Sequence, residues 1–275
     1  YVAALYPAGH YVRRIPYDVR LELPPGWDYA TALETASRSG NEVRFKRASF
    51  ETVVDSPLFA GLHLRKFDLD PGGRSRVTLN AFGDTPDDVA PSEAVLAMHR
   101  EMVRQSDKLF GARHFDSYDF LLSVSDRLAT AGIEHARSSN NGVRADFFRS
   151  WNTGLGRHDL LPHEYVHSWN GKYRRPAELW TPDFLTPMRN RLLWVYEGQT
   201  QYWGIVLAAR SGLLTREQAL DALAGVAAAY QARVGRDWRP LVDTTWDPVI
   251  AARRPLPWTS WQRSEDYYSE GLLIW

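Results

Sequence analysis

The string His163-Glu164-Tyr165-Val166-His167 sets two imidazoles four residues apart with a carboxylate between them. On a helix, at about 100° per residue, the three polar side chains fall at roughly 0°, 100° and 40° and share one face. Two imidazoles one turn apart can chelate a single Zn2+, and the glutamate beside them can take a proton from the water the metal activates. The chain's own His and Glu frequencies produce His-Glu-x-x-His by chance in roughly 1% of such sequences. The competing reading is a solvated helix face that happens to carry two histidines.

Two protein ligands are too few for a catalytic zinc, which takes three plus water. The metzincin arrangement needs glycine at 170 and histidine at 173, where this chain has Asn170 and Tyr173. The third ligand is therefore expected to be a carboxylate further along. Glu197 leads, because Leu192-Leu193-Trp194-Val195-Tyr196-Glu197-Gly198 is apolar nearly all round and reads as buried helix. A buried carboxylate is costly unless a cation or hydrogen bonds compensate it. A metal does so, and so would an arginine in an internal ion pair. Glu178 and Asp183 are weaker candidates, since Pro176 and Pro182 place them in irregular chain.

The same residues resemble a known family. His163-Glu164-Tyr165-Val166-His167-Ser168-Trp169-Asn170, then Arg175-Pro176-Ala177-Glu178-Leu179, then Leu193-Trp194-Val195-Tyr196-Glu197-Gly198 are similar, in that order, to blocks of the glycyl aminopeptidase family of gluzincin metallopeptidases. The resemblance runs from about Val54-Asp55-Ser56-Pro57 to the end of the chain. Members pair a β-rich N-terminal domain with a thermolysin-like catalytic domain and usually add a C-terminal PDZ domain. No PDZ region is visible here, as expected of a truncated piece.

The resemblance implies one Zn2+ per chain held by His163, His167 and Glu197, with Glu164 as base and later proton donor. It implies a substrate-binding role for Glu134: Gly132-Ile133-Glu134-His135 stands on an edge strand, where the aminopeptidase N family has Gly-Ala-Met-Glu-Asn, whose glutamate holds the substrate's α-ammonium. Tyr267-Tyr268-Ser269-Glu270-Gly271 resembles the segment with the oxyanion donor, and Tyr268 aligns better than Tyr267. Two positions depart from the pattern: Ala131 stands where many members have glycine, and Gln201 lies one turn after Glu197.

The implied function is a zinc-dependent aminopeptidase acting on peptides with a free N-terminus and a small first residue, Gly or Ala. A phenol with pKa near 10 can donate to a forming oxyanion at neutral pH. A carboxylate fixed near the zinc would select free amino termini by charge. The plainer reading of Glu134 is a solvated strand-edge acid, and that of Tyr268 a core aromatic beside Gly271-Leu272-Leu273-Ile274. Two alternatives stand beside the aminopeptidase. One is a zinc endopeptidase on the same scaffold, in which Glu134 does not block the cleft; the other is a peptide-binding domain with an incomplete catalytic site. His135 lies close to the amine site, while His10, His63, His99, His114 and His158 read as ordinary histidines. Trp169, Trp194 and Trp203 read as packing around the site.

The elements that must position these residues fall into two parts. Through about residue 88 the chain alternates with period two: Val19, Leu21 and Leu23; Leu62 and Leu64; Val77, Leu79 and Ala81. Pro71-Gly72-Gly73 would turn the last two strands, and Asp84-Thr85-Pro86-Asp87-Asp88 reads as a linker. Beyond it, helices are expected over Ser92 to Phe110 with a stop at Gly111, over Leu192 to Arg210 capped by Gly212, and from the capping box Thr215-x-x-Gln218 to about Ala232. Phe120 to Val124 reads as a short strand. The expected class is α+β: an N-terminal antiparallel β domain, sandwich-like, over 1–88, then a mainly helical catalytic domain with a small mixed sheet over 89–275.

Composition sets outer bounds on function. Lys+Arg and Asp+Glu are 33 each, so the net charge is zero, which argues against a general nucleic-acid binder. Without cysteine there is no disulfide framework, thiolate metal site or cysteine nucleophile. The longest apolar run, Ala222 to Tyr230, is far short of the roughly 20 residues of a membrane helix. The chain opens at Tyr1 without methionine and stops at Trp275 within an apolar helical stretch, which suggests a piece of a longer protein.

Overall fold

In the computed structural model, which describes residues 5–153, 157–250 and 258–275, the chain begins with short strands. These are β1 Pro16–Tyr17, β2 Arg20–Glu22, β3 Asp28–Thr31, β4 Thr35–Ser39, β5 Glu42–Phe45 and β6 Ala48–Ser49, followed by helix α1 Phe50–Val54 and β7 Leu58–Gly61. They form three small antiparallel sheets, β1-β6, β2-β5-β4 and β3-β7, around Leu23, Tyr29, Leu33, Val43 and Phe45. The alternation at Val19 to Leu23 is thus real, but among the described residues the strands pair in three separate patches and not in one closed sandwich.

A single mixed sheet carries the second part: β8 His63–Asp68, β9 Arg76–Gly83, β10 Ser117–Val124, β11 Gly132–Glu134 and β12 Ser138–Val143. Its order is β11-β12-β10-β9-β8, with β9 and β12 parallel to β10 and the two outer strands antiparallel. The turn at Pro71-Gly72-Gly73 forms as expected; Gly72 takes φ +81° and Gly73 N–H donates to Asp70 O. The division expected at 88–89, by contrast, falls inside this structure. β9 ahead of it pairs along its whole length with β10 behind it. The Asp84–Asp88 stretch is a fastened turn, in which Thr85 N and Oγ1 both donate to Asp88 Oδ2.

Helix α2 Glu93–Phe110 crosses from β9 to the parallel β10. Ser92 caps its start by accepting from Val95 N–H, and Gly111 ends it at φ +73°. Then come α3 Leu160–Trp169, α4 Gln199–Ser211 and α5 Arg216–Gln231, the short turns α6 Asp247–Ile250 and α7 Thr259–Gln262, and α8 Asp266–Ile274. The box that opens α5 is present in both directions: Gln218 N–H donates to Thr215 Oγ1 and Thr215 N–H to Gln218 Oε1. One core joins the sheet, α2, α3 and α4, with Val77, Leu79, Met102, Phe120, Leu122, Leu161 and Tyr165 all buried. Ala30, Phe82 and Leu121 form a smaller cluster that seats the N-terminal strands on the sheet. Among the described residues no helix is long and apolar enough to cross a membrane.

Candidate active site

Helix α3 carries both histidines and is buried on nearly every side, with Pro162 in the first turn where no backbone N–H is needed. It runs close against α4. A Cβ at Gly204 would sit 3.1 Å from His163 Cα, so the glycine sets that approach. The single helix expected over Leu192 to Arg210 is broken up: a 3-10 turn at Asn190–Leu192, a π turn at Trp194–Gly198, then α4, which Gly212 ends at φ +82°. Glu197 sits in the π turn, a local widening frequent at functional sites. Glu197 Oε2 thereby lies 3.2 Å from His167 Nε2 and 3.6 Å from His163 Nε2, and the two ring nitrogens are 3.1 Å apart.

Those three separations are the test of fit for a metal. Donors about 2.0–2.2 Å from a tetrahedral cation lie about 3.3–3.5 Å from one another, and the observed edges bracket that range. Glu197 Oε2 is buried and makes no hydrogen bond. His167 Nδ1 lies 3.1 Å from Asn170 O. A carbonyl only accepts, so Nδ1 is the donor and Nε2 presents its lone pair to the site. Glu178 and Asp183 are elsewhere: Glu178 pairs with Arg191, and Asp183 Oδ1 accepts from Leu185 and Thr186 N–H. The residues fit a zinc ion held by His163, His167 and Glu197.

The charges favour a cation as well. Burial opposes ionisation of Glu197, yet the facing His167 and His163 hold its carboxyl down at about 2. Burial likewise opposes a charged His167, and Glu197 outweighs it and raises the imidazole. Glu164 goes the other way: burial, reinforced by the nearby Glu134 and Glu197, pushes it up to about 8 against the pull of His163.

Asn170, at the end of α3, ties the ligands together. Its Nδ2 donates to Val195 O, Tyr196 O and Thr200 Oγ1 at 3.0–3.2 Å. Outer partners of this kind carry about 10–100-fold in metal affinity. Asn170→Ala is expected to weaken zinc by that factor in competition with a chromophoric chelator, and an unchanged affinity would show that Asn170 does not support the ligands.

The other expected residues surround this centre. Carboxylate oxygens of Glu134 and Glu164 and a ring nitrogen of His167 lie within 4.8 Å of one another. Glu134 ends the edge strand β11, where Tyr196 Oη donates to its Oε1. Burial opposes ionisation of Glu134, but the charges of His167 and Lys172 hold it below the usual carboxylate range. A cavity of about 790 Å³ opens beside Glu134, and a second of about 300 Å³ is walled by Gly132, Arg157, His163, Glu164, Gln201 and Tyr268. Tyr268 thus faces the second cavity, with its ring 6.3 Å from that of His163, while Tyr267 is 1% exposed and packs inward. Gln201 shares that wall and reaches Asp159, and Trp169 stacks on Phe110 in the core. His135 Nδ1 is engaged by Asp55.

Sequence reasoning missed Tyr196, Asp55 and Lys172 as neighbours of Glu134. Tyr196 had one signal, its place directly before Glu197. Its ring lies where a side chain at position 171 would be, and Gly171, at φ +125°, leaves the space. Asp55 and Lys172 come from distant segments and carry no local signature.

Comparisons with known proteins bear on the fold and the family. No curated protein matches the chain. Among solved structures, an aminopeptidase N family protein from Idiomarina loihiensis matches with a TM-score of 0.79 and 21% identity over 97% of this chain and 46% of that one. An M1 zinc metallopeptidase from Deinococcus radiodurans matches with a TM-score of 0.50 and 15% identity over 94% of this chain and 51% of that one. At such identities the likeness is one of fold, and the chain spans about half the length of these structures. Two family profiles match, the Peptidase M61 N-terminal domain over residues 2–62 and the M61 glycyl aminopeptidase over residues 157–274. Together they take in more than half of the chain; the mixed sheet lies between them, and His163, His167 and Glu197 lie within the second, so the chain belongs to the M61 glycyl aminopeptidase family.

Proposed function

We propose that this chain is the peptidase part of a zinc-dependent aminopeptidase that removes a small first residue, Gly or Ala, from peptides with a free N-terminus. The observation that carries the reading is the carboxylate of Glu134 beside Glu164 and His167. In a peptide the α-nitrogen and the first carbonyl carbon are about 2.5 Å apart. An ammonium hydrogen-bonded to Glu134 therefore brings the first peptide bond, and no later one, over the metal ligands. The description of the family as glycyl aminopeptidases supports a preference for a small first residue.

When bound, zinc supplies a Lewis acid for the scissile carbonyl and the attacking water. Glu164, which the charge of a bound metal would hold ionised, takes the water's proton on its carboxylate and passes it to the leaving amine. Tyr268 O–H donates to the oxygen that becomes negative. Glu134 holds the ammonium on the side of the first cavity, so the leaving portion runs past Gly132 into the second. In this reading the N-terminal unit ends near residue 62, because β8 and β9 belong to the sheet that carries Glu134.

The test is cleavage of glycyl-anilide and its N-acetyl form, with and without a zinc chelator. Chelator-sensitive cleavage of the free amine alone is the expected result. Equal cleavage of both forms would replace the aminopeptidase with an endopeptidase on the same scaffold. Zinc bound one per chain with no turnover would leave a peptide-binding domain. Leucyl- and phenylalanyl-anilides cut as fast as glycyl-anilide would remove the small-residue preference.

A further inference from the structure

The turn that follows Glu134 is held by the other part of the chain. Asp55 lies between α1 and β7, in the N-terminal unit, and its carboxylate accepts three hydrogen bonds. Ala136 N–H donates to Oδ2 at 2.8 Å, while His135 Nδ1 and Lys172 Nζ reach Oδ1 at 3.1 and 2.9 Å. The Asp55 and Lys172 side chains are only 24% and 14% exposed, so solvent screens this contact weakly. Burial opposes the Asp55 charge, but His135 and Lys172 hold its carboxyl well below the usual range.

Lys172 is the problem that this arrangement solves. It lines the same cavity as Glu134, and its charge reaches both Glu134 and Glu164. A lysine ammonium presents the same charge and the same donors as a peptide's α-ammonium. Tethered in the same cavity as Glu134, a freed Lys172 would compete for that carboxylate at an effective concentration in the millimolar range or above.

We propose that Asp55 is a positioning residue for amine recognition: it occupies Lys172 and pins the 135–136 turn, and so leaves Glu134 open to the substrate's ammonium. This rests on the aminopeptidase reading of Glu134. The N-terminal unit then sets affinity for the substrate's first residue through Asp55.

The experiment measures kcat and KM on glycyl-anilide, with zinc content, for D55N, K172M, D55N/K172M and E134Q in the chain as it stands. D55N is expected to raise KM about tenfold or more, the loss typical of a charge-assisted contact, with kcat changed less than about threefold and zinc retained. Adding K172M should bring KM back to within about threefold of the parent, which a merely structural role for Asp55 would not do. D55N with an unchanged KM, or a double variant no better than D55N, overturns the proposal. D55S, which also removes the charge, gives the same comparison should D55N fail to fold. If E134Q leaves both KM and the discrimination against N-acetyl-glycyl-anilide unchanged, the aminopeptidase reading itself falls. A large E134Q effect beside a silent D55N removes only the role of Asp55.

Discussion

Glu164→Gln is expected to lower kcat by about 10²- to 10⁴-fold, the usual contribution of a positioned general base, while zinc stays at one per chain. The carboxamide has the shape of the carboxylate and cannot take up a proton, and none of His163, His167 and Glu197 is altered. Retention of more than a tenth of parental kcat would remove Glu164 as the base, and loss of zinc would make its role structural. The same side chain leaves a signature without turnover. In the metal-free protein burial pushes Glu164 up to about 8 from an ordinary 4.5. Its carboxyl therefore favours the fold fully below about pH 4.5, and this is lost as pH rises through 8. Glu197, held at about 2, works in the opposite sense, with its contribution present above about pH 4.5 and lost toward pH 2. Between pH 5 and 8 the Tm of chelator-treated protein should fall relative to that of E164Q, a difference in which the opposing contribution of buried histidines such as His99 cancels. An unchanged slope in E164Q would place its source in another group.

The grouping of His163, Glu164, His167 and Glu197 was legible because it is written in local spacing. His163, Glu164 and His167 share a helix face by arithmetic, and Glu197 stands out as an acid in an apolar helix. Position within the fold was harder to read. β12, Ser138-Ser139-Asn140-Asn141-Gly142-Val143, has the composition of a loop, yet Ser138, Ser139 and Asn141 are fully buried. Asn141 Nδ2 satisfies itself on Leu121 O, Ser139 O and Ser139 Oγ, so polar side chains serve where pattern reading looks for Val or Ile. Without β12 the small sheet was underestimated, and the boundary moved to a polar turn at 84–88 that is only the exit from β9. The π turn was hidden too, because a one-residue widening leaves the apolar periodicity of Leu192 to Arg210 nearly intact. The Asp55–Lys172 pair joins segments 117 residues apart, and no spacing rule reaches that far.

Gly132→Ala is expected to lower kcat by about 10²-fold or more with zinc retained. The φ of Gly132 is not positive, so the glycine answers a need for room and not for backbone freedom. A Cβ at 132 would lie 1.9 Å from Glu164 Oε1, 2.7 Å from its Cδ and 2.9 Å from Leu160 Cδ1. No heavy atoms tolerate such contacts. Either the Glu164 carboxylate swings away or β11 shifts off Asn141, its partner in the ladder. A displacement of about 1 Å at a reacting group can cost about 10²-fold. The Glu164 side chain can only yield by swinging toward the second cavity, which carries its carboxylate away from its place beside Glu134 and His167. Gly225, in the middle of α5, meets nothing within 4 Å and serves as the contrast. Gly225→Ala should leave kcat unchanged and stabilise by about 0.5–1 kcal/mol, as glycine removal from a helix interior does. Because Gly132 acts only through Glu164, adding Gly132→Ala to Glu164→Gln should cost almost nothing more. A full further loss in the double variant would mean that the glycine instead shapes the path of the peptide along β11, and a parental kcat in Gly132→Ala would mean that Glu164 does not work from this position.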